Sequence, residues 1–382
     1  MSGIKNCKVG SEITVLIINT TEFRYNIAAA SRAWHISREL TSSGINTIIV
    51  TGEATSDSIT GEDIITIKPL LSRGFIGNLF FLLQISAAVI RLLFNTRIDR
   101  VIARGYSLAL LLLLLKLWRK YIIYDFHGYA YKEQLVQGRR VRARITRPFD
   151  WLALKLADLI LAIREELRQD LPPHFQKKTL LLPNGVDLGA FAAPENENIL
   201  CKYDLPPDKK LVGFIGNWEA WMAFEDILDS SKYFADELQL VVIGAGKRLE
   251  EYKDAYPSIL FTGMVPHQDA VALIKKMDVC LCPYSSQPIG KNKSYRKVLE
   301  YLAAGKPVVA SNAEGREKFL KDTENALLYQ AGEPQDLAEK VKTILSDESL
   351  YIKMSSNNLE LAKQFSWGEV INRSGLIKVL QS

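Results

Sequence analysis

Short apolar runs alternate with stretches of helical periodicity along this chain, and that alternation most constrains how it can fold. Ile13–Ile18, Thr47–Val50, Ile64–Ile67, Arg100–Arg104, Tyr121–Asp125 and Leu159–Ile163 read as strands, apolar enough to be covered on both faces. Between them, Ala28–Leu40, Gly77–Phe94, Ser107–Arg119 and residues 145–158 read as helices. Parallel neighbours need a crossover of a dozen residues or more, which a helix supplies. The rhythm breaks at Leu182-Pro183-Asn184-Gly185, and Phe191–Asn198 is linker-like. It then restarts, with strands at Leu211–Ile215, Leu238–Ile243, Ile259–Phe261, Asp278–Pro283 and Pro307–Ser311 and helices at Phe224–Phe234, 268–277 and 295–304. The expected class is α/β, with two Rossmann-like doubly wound domains facing a cleft. Domains are expected over residues 1–187 and 188–365, followed by a terminal helix over 366–382. Ligands of such sheets bind at the carboxyl ends of the strands, so the cleft is the expected site.

Composition narrows the function classes. The 382 residues are 48% hydrophobic and 24% charged, which excludes disordered and collagen-like chains. Four cysteines (Cys7, Cys201, Cys280, Cys282) without C-x-x-C spacing exclude a disulfide scaffold and read as reduced thiols of a cytosolic protein. Residues 1–187 hold 25 Lys/Arg against 16 Asp/Glu, a charge of +9, whereas the remainder carries −4. A basic first half suits an anionic partner such as a membrane surface or a phosphorylated substrate. Arg139, Arg140, Arg142, Arg144 and Arg147 supply much of that excess. Base-stacking aromatics are not interleaved with these cations, so nucleic acid is not the expected partner. No Asp-x-Asp and no His/Cys cluster of metal spacing occurs, so no metal is expected.

Two apolar stretches bear on the membrane question. Seventeen uncharged residues separate Arg73 from Arg91, and eleven separate Arg104 from Lys116. A span needs about 20 apolar residues, and Asn78, Gln84 and Ser86 interrupt the first stretch. Both read first as core helices and second as membrane-dipping ones, with peripheral attachment through Arg139–Arg147 and residues 75–94 as the matching hypothesis. Residues 1–11 are polar and the apolar run after them is short, so no signal peptide is expected.

The run Leu182-Pro-Asn-Gly-Val-Asp187, with Phe191 beyond it, resembles the "PNGVD…F" signature of family-4 glycosyltransferases. Asn184-Gly185 reads as a turn with positive φ at the glycine. Ser294-Tyr295-Arg296-Lys297-Val298-Leu299-Glu300-Tyr301-Leu302-Ala303-Ala304-Gly305-Lys306-Pro307 is similar to a second block of that family. There a loop enters a helix whose free amides and dipole favour a pyrophosphate. Lys297 opposes that dipole, which a purely structural helix would avoid. Leu240–Gly246, Phe261–Pro266, Tyr124–Gly128 and Phe365-Ser366-Trp367 resemble further elements in the family's order. The resemblance implies a retaining, metal-independent glycosyltransferase of GT-B architecture. It would move a sugar from a UDP- or GDP-linked donor to a glycan or lipid-linked acceptor, in cell-envelope polysaccharide or glycolipid synthesis. The nucleotide-sugar is substrate, and no cofactor is implied. The implied donor residues are Gly216, Asn217, Gly244, Met264, Val265, Asn292, Lys293, Ser294, Tyr295, Arg296, Lys297 and Glu300, with Glu300 on the ribose. Arg24, Tyr25, Arg104 and His127 lie on the implied acceptor side. His127 and Glu300 are the expected catalytic pair, His127 orienting the sugar and stabilising charge near its anomeric carbon. Cytoplasmic placement, peripheral on the inner membrane face, follows from the acceptor class.

The chain departs from the family at the donor phosphates. Asn217 and Met222 stand where the family carries an arginine and a lysine, and Asn292 replaces the first of two glutamates eight apart. Lys291, Lys293, Arg296 and Lys297 are available to compensate. The competing expectation is a degenerate, non-catalytic partner protein that binds nucleotide weakly. A sugar-nucleotide epimerase of the same architecture is a third.

Overall fold

The computed structural model describes residues 13–22, 28–52, 64–71, 75–218, 222–284, 296–312 and 319–382. It divides into two compact units, Met1–Pro183 with Val370–Ser382, and Asn184–Glu369. Of the expected site residues, Arg24, Tyr25, Asn292, Lys293, Ser294 and Tyr295 lie outside the described residues, as do Lys291 and Cys7.

The first unit is a seven-stranded sheet built from β1 (Thr14–Glu22), β2 (Asn46–Gly52), β3 (Ile64–Ile67), β4 (Arg100–Arg104), β5 (Tyr121–Phe126), β6 (Leu159–Ala162) and β7 (Thr179–Leu181). Its order is β3-β2-β1-β4-β5-β6-β7, with every pairing parallel. The order reverses between β1 and β4, which makes their carboxyl ends the crevice of this sheet. Crossovers are α1 (Ala28–Ser42), α2 (Phe75–Asn95), α3 (Ala109–Leu117), α4 (Ala130–Val136) and α5 (Arg140–Leu156). Ile85, Val89 and Leu92 of α2, Leu111, Leu112 and Leu115 of α3 and Ala153 and Leu154 of α5 share one core with Leu16, Val101 and Ile122. Each large apolar side chain sealed there contributes about 1.5–3 kcal/mol.

Helices α2 and α3 pack one side into the core, as expected, but their outer faces are exposed. Ile76, Leu79, Phe80, Leu83 and Phe94 are 46–78% exposed, as are Leu110 (63%) and Leu117 (71%). Both helices are apolar around nearly their whole circumference, and the sheet covers only one side. Among the described residues, one helix, Ile76–Asn95, is long and apolar enough to cross a membrane by length and composition, with 22% of its apolar window buried.

The second unit is a six-stranded parallel sheet of β8 (Lys210–Ile215), β9 (Leu238–Ile243), β10 (Leu260–Gly263), β11 (Val279–Cys282), β12 (Val308–Ser311) and β13 (Ala326–Tyr329). The order β10-β9-β8-β11-β12-β13 reverses between β8 and β11. Period-two alternation sorts its strands onto two cores. Val241, Ile243, Cys280, Cys282 and Val308 fill one, and Val212, Phe214, Leu240, Val279 and Leu281 the other.

The Pro183-Asn184-Gly185 motif has a different cause from the one expected. Gly185 is not among the residues with positive φ. A Cβ there would lie 2.8 Å from the indole of Trp367, so the residue is small because that ring packs against it. Val186 N–H donates to the Phe365 carbonyl at 2.8 Å, and Trp367 N–H donates back to the Val186 carbonyl at 3.3 Å. Two motifs 180 residues apart in sequence are thus one piece of structure.

Candidate active site

In the first unit the site grows from the end of β5. Asp125 accepts three hydrogen bonds from Arg32 of α1, at 3.0, 3.2 and 3.0 Å. Two further guanidinium hydrogens go to the carbonyls of Pro183 and Leu182, each at 2.9 Å. Arg32 is 1% exposed, and this fork-to-fork pairing is what allows it to be buried. Burial opposes ionisation of Asp125, but Arg32 and His127 outweigh it and hold the carboxyl well below the usual carboxylate range.

His127 Nε2 lies 2.9 Å from Asp125 Oδ2, with its side chain about one-fifth exposed. Desolvation, then the nearby Arg104 and Arg32, push its pKa down to about 4 against the pull of Asp125. The imidazole is therefore neutral at pH 7. With Nε2–H donating to the carboxylate, Nδ1 is left as an acceptor for a hydroxyl. Gly128, with φ +126°, follows at once. Arg104 ends β4, opposite Asn19 of β1 in register.

In the second unit two strands end in glycines that touch. Gly216 (φ +124°) follows β8 and Gly244 (φ +128°) follows β9. A Cβ on Gly244 would stand 2.3 Å from the Gly216 carbonyl oxygen, so neither conformation nor space admits a side chain. Directly below sits the ammonium of Lys297, from the helix Arg296–Ala303. A Cβ on Gly216 would lie 3.2 Å from Lys297 Nζ. That nitrogen is 4.2 Å from the Phe214 ring centroid and 3.8 Å from Met222 Sδ. Burial holds the ammonium pKa down to about 8, with Glu300 pulling the other way. Tyr301 fixes the helix in place. Its hydroxyl accepts from Ile215 N–H at 3.0 Å and reaches the Leu281 carbonyl at 3.3 Å, which ties the helix to β8 and β11.

Glu300 is paired within its own helix, its Oε1 lying 3.5 Å from Arg296 Nε. Arg296 thus faces the carboxylate one turn on. His267, which opens the next-neighbour helix His267–Lys276, has its pKa lowered by burial while Glu300, Arg296 and Asp187 act on it. Met264 is 51% exposed, and Val265 packs partly against the core. Asn217 is exposed at the rim of a cavity of about 560 Å³ that Met222, Gly246, Lys247 and Arg248 also line. Trp218 shapes this cavity by stacking on Phe224 (centroids 4.6 Å apart) and donating to the Lys247 carbonyl at 2.9 Å.

Sequence reasoning missed Arg32 and Lys247. Arg32 looks like one more charge on an amphipathic helix, and nothing local marks its partner 93 residues away. Lys247 had a signal, since it directly follows the Gly-Ala-Gly turn. Among the described residues no group of three or more His, Cys, Asp or Glu side chains is placed to hold a metal ion.

Residues 29–190 match Glycosyltransferase Family 4 and residues 209–347 match the glycosyl transferases group 1 family, most of the chain between them. An uncharacterised glycosyltransferase of Methanocaldococcus jannaschii is 24% identical over 267 residues, 66% of each chain. A phosphatidyl-myo-inositol mannosyltransferase of Mycobacterium leprae is 26% identical over 200 residues, 50% of this chain and 51% of that one. The matched stretches thus span about half to two thirds of these relatives' length. Among solved structures, a sucrose-phosphate synthase of Thermosynechococcus elongatus superposes with a TM-score of 0.75 at 16% identity, covering 97% of this chain and 99% of that one. HepE of Anabaena, in complex with UDP and glucose, gives 0.71 at 17%, covering 97% and 100%. The two glycine-ended sheets and their motifs are therefore those of a GT-B fold, and the chain belongs to the group 1, family-4 glycosyltransferases.

Proposed function

We propose that this protein transfers a sugar, with retention and without a metal, from a UDP- or GDP-linked donor to a lipid-linked or glycan acceptor. The observation that carries this reading is Lys297. A half-buried ammonium set against Phe214, Met222 and Gly216 has no carboxylate accepting from it among the described residues, and a donor diphosphate supplies the missing anion. Lys297 stands beside Met222, in the loop where the family's own lysine is missing. Developing negative charge on the leaving diphosphate meets a fixed, desolvated cation and the free amides of the helix it belongs to. Glu300 accepts from the ribose, His267 and the Met264–Pro266 loop hold the base, and His127 accepts a sugar hydroxyl at Nδ1.

The outer faces of α2 and α3 support a lipid-linked acceptor. Their exposed leucines, isoleucine and phenylalanines, with exposed Val141 and Ile145 among the arginines of α5, suit the interface of an anionic membrane. The protein then works peripherally on the cytoplasmic face, on a lipid-linked substrate.

Calorimetric titration with UDP, GDP and ADP, with and without EDTA, tests the donor half. One nucleotide binds at micromolar Kd irrespective of EDTA, and Glu300→Ala loses it. Binding of no nucleotide returns the argument to a non-catalytic partner protein, the reading that Asn217 and Met222 favour.

A further inference from the structure

We propose that Asp150 of α5 is a positioning residue for His127: it holds the start of α4, and with it the loop that aims the imidazole Nδ1 at a sugar hydroxyl. This rests on the reading above that His127 accepts from the sugar.

Asp125 fixes only one end of the imidazole. Its carboxylate takes Nε2, 2.9 Å away, and a ring held by one hydrogen bond can still pivot about it. The direction of Nδ1 is therefore set by the backbone at residue 127. Gly128 follows with φ +126°, a conformation that no side chain of its own locks. Then α4 begins at Ala130, a helix that buries none of its own residues. Its N-cap is Tyr129, whose side chain makes no hydrogen bond to the first amides.

Asp150 supplies that cap from the next helix. Its Oδ2 accepts from Tyr131 N–H at 3.0 Å, the Ala130 amide also bears on it, and the residue is 2% exposed. Beside it on α5, the ring of Trp151 lies 6.2 Å from that of Tyr129, which packs on Phe126 at 5.2 Å. Residues 127–129 thus run between two carboxylates, Asp125 at the strand end and Asp150 at the helix start. Asp150 makes no salt bridge among the described residues. Burial raises its pKa to about 6 against the pull of the two amides, with Glu133 of α4 adding to the rise. The phenols of Tyr106, Tyr124 and Tyr129 also face it. On its own helix Arg142 acts on Tyr106, and Arg147 stands 5.6 Å from the Tyr131 ring centroid. The charge on this cap is therefore held by amides alone, and it fades as pH falls through about 6.

The test is NMR of the whole protein with labelled histidine rings, His127 being identified among the four histidines by its loss in His127→Gln. In Asp150→Ala the His127 signals shift, while those of His35, on α1 of the same unit, stay in place. Asp150→Asn keeps an acceptor oxygen for the amides and restores the wild-type position at neutral pH. In wild type the His127 signals follow a transition near pH 6 that Asp150→Asn lacks, a comparison that needs no Asp150→Ala protein. Titration gives a second readout. The gain in affinity of UDP-glucose over UDP, or of GDP-mannose over GDP, falls about three- to ten-fold in Asp150→Ala and recovers in Asp150→Asn. His127 signals that stay put in Asp150→Ala, or that move together with those of His35, overturn the proposal. So does a transition near pH 6 that survives in Asp150→Asn, since another group then moves the loop. If His127→Gln leaves the gain from the sugar intact, the sugar contact of His127 fails on its own, and the ring signals still decide whether Asp150 positions it.

Discussion

Each unit buries a cation under the carboxyl edge of its sheet, but the two are buried on different terms. In the first, Arg32 gives its hydrogens to a carboxylate and two carbonyls, and that set is closed. In the second, Lys297 rests against an aromatic ring and a thioether, and no carboxylate accepts from it among the described residues. A cation–π contact returns about 2 kcal/mol when desolvated, well short of a buried ammonium's loss of hydration. The first set is held by protein groups, whereas the proposed role of the second is to meet the donor's diphosphate.

Breaking the closed set has the largest expected effect. Arg32→Met strands a buried Asp125 and two carbonyls, and stability falls by about 3–5 kcal/mol. Urea unfolding followed on the first unit reads this, and a loss below 1 kcal/mol would show that the pairing is not what holds α1 to β5. Lys297→Met tests the opposite sign. Removing an uncompensated charge from an apolar pocket raises stability by about 1–2 kcal/mol. The same change lowers nucleotide affinity about 10- to 100-fold, the worth of one charge-assisted contact. The pH response follows from a folded pKa of about 8 against an ordinary 10.5. Between those values the unfolded chain binds the extra proton, so the contribution of Lys297 to stability rises with pH. Nucleotide affinity moves the other way, falling as pH climbs through about 8 and the ammonium is lost. Both trends flatten in Lys297→Met, and persistence of either there refutes the assignment.

The smallest stability effect is expected on the outer faces of the first unit. Leu83→Glu and Phe94→Ser, at positions 57% and 78% exposed, change stability by within about 0.5 kcal/mol. Flotation with anionic liposomes at low salt reads their consequence. Wild type floats and the double variant sinks, whereas equal flotation removes these side chains from the membrane reading.

The strands were legible because buried parallel strands are continuous apolar runs. β7 and β13, of three and four residues, were not among the runs read as strands. The donor motif was legible in order and spacing, but the roles within it were redistributed. Arg296 and Glu300, both expected at the donor, also pair with each other, and Gly185, expected to turn the chain, makes room for Trp367.

Periodicity and motif order are written in near neighbours, so the sequence by itself determined the α/β class, the two sheets, the GT-B resemblance and the loss of the loop cations at Asn217 and Met222. What only tertiary structure decided were partnerships across long stretches of chain. Arg32 reaches Asp125 93 residues away, Lys297 reaches Met222 75 residues away, and one side of α2 is left uncovered by the sheet. A side chain's charge is fixed by its chemistry, but its cost is set by whatever the fold places beside it.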